Sequence, residues 1–429
     1  MKPMRILVPL LVPALLATAT AEPGPLSMRR NASGAWELVR DGKPFFIRGA
    51  GGQRSLDVLV ESGGNSIRTW GVDALEEKVD GKLLVQRARE LDLTIAAGLW
   101  VGHERHGFNY SDAAQLEKQR KDIRAVVAKW KNEPAICFWG LGNEMEGPDA
   151  DGKDDRIWKE LEVLAKIIKE EDPSRLVMTV IAGAARPKIE GVRDHCPSID
   201  ILGVNAYASA AGAGKAVKET GWDKPFILTE FGPSGHWEVA KTSWGAPIEP
   251  SSRDKAAKYY STQQIATDDS AGLFVGSYAF LWGQKQECTA TWYGMFLKSG
   301  EKLPSVDAMS RAWTGEWPAN RCPRVETFTS PAKGNTVRPG ESVAVTLDVA
   351  DPDGDKVELQ WTLAGESTDR KAGGDAERAP EEKKLSMDSS GANQWTFKAP
   401  DQPGAYRVFL VARDGRGAAS AENIPFQVR

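Results

Sequence analysis

The chain reads as an α/β protein: a closed parallel (β/α)8 barrel followed by a smaller all-β sandwich. Three observations predict this. Eight apolar strand candidates alternate with amphipathic stretches, over a span close to the ~250 residues such a barrel uses. After Cys322-Pro323 helical periodicity stops, and short strands separated by Pro, Gly and Asp turns take over. Two of the eight strands close on a glutamate, Glu144 and Glu230, at the end where a barrel of this kind carries its chemistry.

Each element has a local reason. Trp36 to Arg40 and Phe45 to Ile47 flank Asp41-Gly42, a favoured hairpin turn. The strand candidates are 44–50, 65–70, 94–101, 136–143, 176–181, 200–206, 225–230 and 274–281. Ile136-Cys137-Phe138-Trp139-Gly140-Leu141 is apolar or small throughout, as a strand buried on both faces must be. Between strands, 115–131 carries Leu116, Ile123, Val127 and Trp130 on one side. The stretch 156–171 repeats Ile157, Leu161, Leu164 and Ile168 at helical spacing and stops at Asp172-Pro173. Further helices are expected over 82–91, 254–267 and 303–313. An open doubly wound sheet is the rival, but it usually has fewer strands and often a phosphate loop. Gly49-Ala50-Gly51-Gly52 lacks the G-x-G-x-x-G spacing of such a loop.

The sandwich strands are expected at 342–349, 356–363, 394–399 and 405–413, in a module of immunoglobulin-like size. Trp361 and Trp395 read as its core, and 371–384 as a solvated loop. Asp351-Pro352-Asp353-Gly354-Asp355 reads as a tight acidic turn, because it lacks a full calcium ligand set. The organisation is then a leader over 1–21, a barrel with an N-terminal hairpin over 22–322 and a sandwich over 323–429.

Composition narrows the class. Of 429 residues, 41% are hydrophobic and 27% charged, with a net charge of -4 and the two signs intermixed, so a full core is affordable and no basic face invites nucleic acid or anionic membrane. Lys2 and Arg5 flank an apolar stretch from Ile6 to Leu16, and Ala19-Thr20-Ala21 follows. This is the pattern of a cleaved export signal, predicting a secreted or periplasmic protein, with a retained anchor as the alternative. No later segment is apolar enough to span a membrane. Cys137, Cys196, Cys288 and Cys322 match no zinc spacing. Cys288 with Cys322 is the favoured disulfide in an oxidising compartment, and Cys137 reads as a buried thiol. No cofactor and no metal site is expected, and the oligomeric state stays open.

An acid at the last position of a buried strand is costly inside the core and useful at its rim. Strand parity puts Ile136, Phe138, Gly140, Gly142 and Glu144 on one side of the fourth strand, and Phe226, Leu228 and Glu230 on one side of the seventh. Two carboxyl groups facing each other across a cleft are the minimal machinery for breaking a glycosidic bond. The plain alternative for each acid is a salt bridge at the rim.

Gly142-Asn143-Glu144 after a fourth strand, with Thr229-Glu230-Phe231-Gly232 after a seventh, resembles the signature of glycoside hydrolase clan A. The likeness runs from Lys43 to Trp313, and its texture is similar to the family 2 catalytic barrel and to glucanosyltransferase-like barrels. Gly64-Asn65-Ser66-Ile67-Arg68-Thr69-Trp70 resembles their second strand. The resemblance implies hydrolysis with retention. Glu144 would be general acid and then base, its pKa raised by burial near Trp139. Glu230 would be the nucleophile, its charge met by Arg68 and a hydrogen bond from Tyr207. Asn143 would bind the sugar 2-hydroxyl and Trp282 would stack under the sugar. Trp70 and Trp100 are further candidate sugar platforms, His103 and His106 candidate sugar contacts, and His236 and Trp237 candidate cleft residues. Glu104, Glu146 and Glu238 compete for the acid roles. The implied partner is a β-linked oligo- or polysaccharide, with β-glucan favoured by the resemblance. Transglycosylation on the same site, or a silent carbohydrate-binding barrel, are the alternatives.

Overall fold

The computed structural model describes residues 25–147, 151–268 and 272–429; the expected leader at 1–21 lies outside them. Eight parallel strands close into a barrel in chain order: Ile47–Gly51, Ser66–Arg68, Thr94–Leu99, Ile136–Leu141, Leu176–Ala182, Ile201–Asn205, Phe226–Phe231 and Phe274–Ala279. Among the described residues eight α-helices accompany them: α1 (Leu56–Glu61), α2 (Leu84–Glu90), α3 (Ala113–Trp130), α4 (Asp155–Glu171), α5 (Arg186–His195), α6 (Ala213–Glu219), α7 (Ser252–Asp268) and α8 (Pro304–Thr314). The sequence reading has no counterpart for α1, α5 or α6. These are short, and α5 carries Pro187 in its first turn and Gly191 in its interior, so too few apolar positions repeat for a period to show. The longer helices start where their caps dictate: Asp112 accepts the backbone N–H of Ala114 and Gln115, and Asp154 that of Arg156.

Alternation sorts the strand residues into two layers. Ile47, Ala96, Phe138, Met178, Val180, Ile227 and Tyr278 fill the barrel interior. Trp139, Leu141, Leu202 and Leu228 face the helices. Leu26 and Leu38 join the interior cluster from a separate antiparallel sheet of Ser27–Arg30, Trp36–Arg40 and Lys43–Phe45, which plugs the barrel at the N-terminal ends of its strands. The hairpin turn has positive φ at both Asp41 (51°) and Gly42 (77°), the geometry that lets two twisted strands meet. The expected strand 44–50 is therefore two elements: Phe45 ends the hairpin and Ile47 opens the barrel.

The C-terminal unit stacks two sheets. One runs Arg324–Thr329, Ser342–Ala350, Gln394–Lys398, Asp388–Gly391; the other runs Thr336–Val337, Ala419–Val428, Gly404–Arg413, Glu358–Gly365, Glu382–Lys384. Val345, Trp361, Phe397, Val408, Leu410 and Phe426 meet between them, with Trp395 packed against that core. The last strand escapes a pattern reading because Pro425 and polar residues interrupt it, yet it pairs with Gly404–Arg413 along its whole length. In the acidic turn, Asp351 Oδ1 accepts the N–H of Asp353 and of Asp355, and Arg416 pairs with Asp355.

The two units are welded by a buried polar knot. Glu249 accepts hydrogen bonds from Lys255, Thr289, Thr291 and, across the junction, Asn423. The disulfide expectation is corrected: all four cysteines are free and buried. Cys288 packs with Phe280, Trp292 and Tyr293 above the eighth strand, whereas Cys322 Sγ lies against the carbonyl of Lys302 near the junction. Among the described residues no helix is long and apolar enough to cross a membrane.

Candidate active site

The two glutamates are aimed by departures from regular strand geometry. The fourth strand ends at Leu141, and the backbone then turns with positive φ at Gly142 (74°) and at Glu144 (52°). A Cβ at Gly142 would lie 2.0 Å from Met145 Sδ, so only glycine fits. The Glu144 N–H reaches across to the Val180 carbonyl at 2.9 Å and fixes the turn on the fifth strand. A left-handed conformation at a non-glycine residue costs on the order of 1–3 kcal/mol and persists only where its surroundings enforce it. The strand parity expected from the sequence does not place Glu144; this turn does.

The parity argument for Glu230 also needs correction. Phe226 and Leu228 belong to the outer layer against the helices, and Ile227 to the interior. Regular alternation would send Glu230 outward. Both ladders carry an extra residue there: Val204 pairs Leu228 while Asn205 pairs Glu230, and Leu228 pairs Ser277 while Phe231 pairs Ala279. The bulge resets the phase and turns Glu230 into the barrel mouth.

Glu230 is 6% exposed and accepts three hydrogen bonds. Arg68 Nη1 donates to Oε1 at 3.0 Å, Trp70 Nε1–H donates to the same oxygen at 2.8 Å, and the Tyr207 hydroxyl donates to Oε2 at 2.9 Å. One donor is a buried guanidinium, so the set suits an anion. Arg68 also donates through Nη2 to Asn143 Oδ1 at 2.6 Å. Asn205 Nδ2 donates to that same oxygen at 3.1 Å and to Glu144 Oε1 at 2.8 Å. Thr229 Oγ1 donates to Asn205 Oδ1 at 2.8 Å, which orients the amide. A single hydrogen-bonded chain thus links Glu230, Arg68, Asn143, Asn205 and Glu144.

Glu144 is half-buried, and its pKa is pushed up to about 7. Burial is the main cause and the Glu230 charge the second, opposed by the Asn205 hydrogen bond. Trp139, expected to supply the apolar cover, faces the outer layer instead, where its indole N–H donates to Asp172 at 3.0 Å. The Tyr207 hydroxyl stays protonated far into alkali, because it is buried and next to Glu230.

Trp282 is corrected as a stacking platform. Its ring is 0% exposed, packed between Phe296 and Trp313 beneath α8, and no sugar can reach it. Trp70 is a hydrogen-bond donor to Glu230, with its ring edge-on to Phe280. The open rings at the mouth are Trp100, 47% exposed, and Trp237, 55% exposed and edge-on to Tyr207 at 5.8 Å. His103 lies stacked under Trp100 at 4.7 Å with both ring nitrogens unpartnered, and burial pulls its pKa down to about 4. Of the competing acids, Glu146 is buried against Lys188 and the Ala182 N–H, Glu104 pairs with Arg156, and Glu238 binds the backbone N–H of Ala208 and Gly235. The sequence reading missed Asn205. It was legible by the rule that found the glutamates, as the one polar residue closing Ile201-Leu202-Gly203-Val204-Asn205.

Fold and site together resemble those of glycosidase barrels, here carrying an immunoglobulin-like sandwich. The family model described as glycosyl hydrolases family 2, TIM barrel domain, matches residues 92–236, and the PKD domain model matches 327–423. The barrel resembles the family 2 catalytic barrel of clan A. No curated protein matches the chain. Among solved structures, a β-glucuronidase of Ruminococcus gnavus superposes with a TM-score of 0.52 at 15% identity, over 68% of this chain and 53% of that one. The β-D-glucuronidase of Dictyoglomus thermophilum gives 0.51 at 16%, over 68% and 54%. A β-glucuronidase of Bacteroides uniformis gives 0.50 at 13%, over 94% and 48%. The chain spans about half the length of these solved relatives, and at these identities the likeness is one of fold.

Proposed function

We propose that the chain is an exported retaining glycosidase that cleaves a β-linked oligo- or polysaccharide by double displacement. The observation that carries this reading is the hydrogen-bonded chain joining two carboxyl groups of opposite character, one near-neutral and one set among three donors. Glu144 donates its proton to the glycosidic oxygen while Glu230 attacks the anomeric carbon, giving a glycosyl ester. Ester formation removes the Glu230 charge, which is one cause of the raised Glu144 pKa. Glu144 then becomes the stronger acid, sits as a carboxylate and takes a proton from the incoming water. Asn143, held by Arg68 and Asn205, has its Nδ2 free to donate to a sugar hydroxyl, and Trp100 and Trp237 offer apolar faces to further sugars.

Glu230→Ala tests the mechanism. Turnover of aryl β-glucosides and β-glucuronides should fall by at least about 10⁴-fold, and azide should restore it as a glycosyl azide of inverted configuration. Wild-type activity in that variant, or an inverted anomer as the first wild-type product by NMR, would remove Glu230 as nucleophile. Export rests on the N-terminal pattern, and sequencing of the mature protein should begin at Glu22.

A further inference from the structure

The barrel rim is low on one side. Residues 52–55 alone join the first strand to α1, so the first strand itself adds little to the rim, and Gln53 leans on Glu77 of the loop after the second strand. A segment from the sandwich, far away in the chain, occupies that side. Arg105, in the loop after the third strand, donates to the carbonyls of Ala372 and Gly373 at 3.3 Å each and pairs with Asp375. His106 Nε2 meets Asp375 Oδ2 at 3.1 Å. From the opposite side, Lys285, after the eighth strand, donates to the Gly374 carbonyl at 2.8 Å. The Cys288 N–H donates to Glu377 at 2.7 Å. Arg370 reaches the Gly245 carbonyl in the loop after the seventh strand.

Every one of these barrel partners follows the C-terminal end of a strand, on the face that holds Glu144 and Glu230. The eighth and third strands are separated by the first and second, an arc of roughly 14 Å at ~4.8 Å per strand. The turn meets both sides at successive carbonyls, Gly373 facing Arg105 and Gly374 facing Lys285, so the long side chains of the two loops bridge the arc through it. The turn is built for the task. Gly373 (φ 62°) and Gly374 (φ 75°) present successive carbonyls to the barrel cations, and a Cβ on Gly373 would lie 1.4 Å from an Arg105 nitrogen. The loop expected to be solvated is thus docked along this part of its length.

We propose that this turn of the sandwich, Lys371 to Glu377, is a wall of the substrate cleft, closing it between the loops after the third and eighth strands so that only a chain end enters. The inference rests on the glycosidase reading and deepens it: the substrate is the terminus of a β-linked glycan, and the C-terminal unit sets the mode of attack. The test follows early products from a reducing-end-labelled hexasaccharide of whichever sugar gives the fastest aryl β-glycoside turnover. Wild type should release single sugars, with products shortening one unit at a time. A variant with 371–375 shortened to Gly-Gly should raise the ratio of internal to terminal cleavage about tenfold or more. Arg105→Ala with Asp375→Ala, both at the surface, frees the turn from the third-strand loop without touching the core and should shift the ratio the same way. Mixed-length wild-type products from the start overturn the inference, as does a ratio unmoved in both correctly folded variants. A wild type that turns over no glycoside at all sinks the glycosidase reading instead.

Discussion

Replacing Glu144 by Gln should stabilise the protein above neutrality while disabling it. The carboxyl group has an ordinary pKa of 4.5 and is raised to about 7 in the fold, by burial first and the Glu230 charge second. The folded chain therefore binds the proton more tightly than the unfolded chain. The stability this supplies is complete below the unfolded value and is lost as pH rises through about 7. A shift of ~2.5 units at ~1.36 kcal/mol each bounds the loss near 3 kcal/mol, and local relaxation and water bring the usable figure to about 1–3 kcal/mol. Gln has the same shape and keeps an oxygen to accept from Asn205 Nδ2, but carries no charge. At pH 8 the variant should melt about 2–5 °C above wild type, whereas near pH 4.5 the two should coincide. Calorimetry at matched scan rates measures both. The pH profile gives a second reading: wild-type kcat/KM for poor leaving groups should fall above about pH 7, and in Glu144→Gln that limb should vanish for dinitrophenyl glycosides, whose departure needs no proton. Equal melting temperatures at pH 8, or a gain confined to acid, would show that Glu144 is not a carboxyl group held neutral by its surroundings.

Two further substitutions separate site from support. Lys188→Met leaves Glu146 buried without its cation partner behind the Glu144 turn. Denaturant unfolding should show a loss of about 3–5 kcal/mol at pH 8, shrinking at low pH where Glu146 is protonated. Trp282→Ala should cost about 3–5 kcal/mol of stability, as a buried ring between Phe296 and Trp313, while Trp237→Ala should leave stability within about 0.5 kcal/mol and raise KM for oligosaccharides; the reverse pattern would restore Trp282 to the cleft.

The barrel was legible in the sequence because burial on both faces forces apolar runs, and eight such runs with intervening amphipathic stretches leave few other folds. The acids were legible for the converse reason. Glu144 with Asn143 before it, Glu230 and, had the rule been pressed, Asn205 close runs that are otherwise apolar or small. What no pattern could supply was their direction. Periodicity presumes a regular strand, and both glutamates stand where the strand is irregular, one beyond a left-handed turn and one on a bulge. Trp282 shows the same limit from the other side: sitting just past the end of a strand does not say which layer a ring joins, and here it joins the helices. The docked sandwich turn lies further out of reach, since its contacts link residues some 270 positions apart. These misses share a cause. A regular barrel rim would point its terminal side chains alternately inward and outward, and two carboxyl groups could share one opening only if both strands happened to end in phase. A local turn and an inserted residue remove that dependence at a cost of a few kcal/mol of strain, which the Arg68–Asn143–Asn205 network and the Val180 carbonyl hold in place. The irregular positions are then the ones on which activity depends most steeply. A change that the left-handed turn cannot accept, such as Gly142→Val, should straighten the approach to Glu144 and abolish turnover while leaving the outer layer packed.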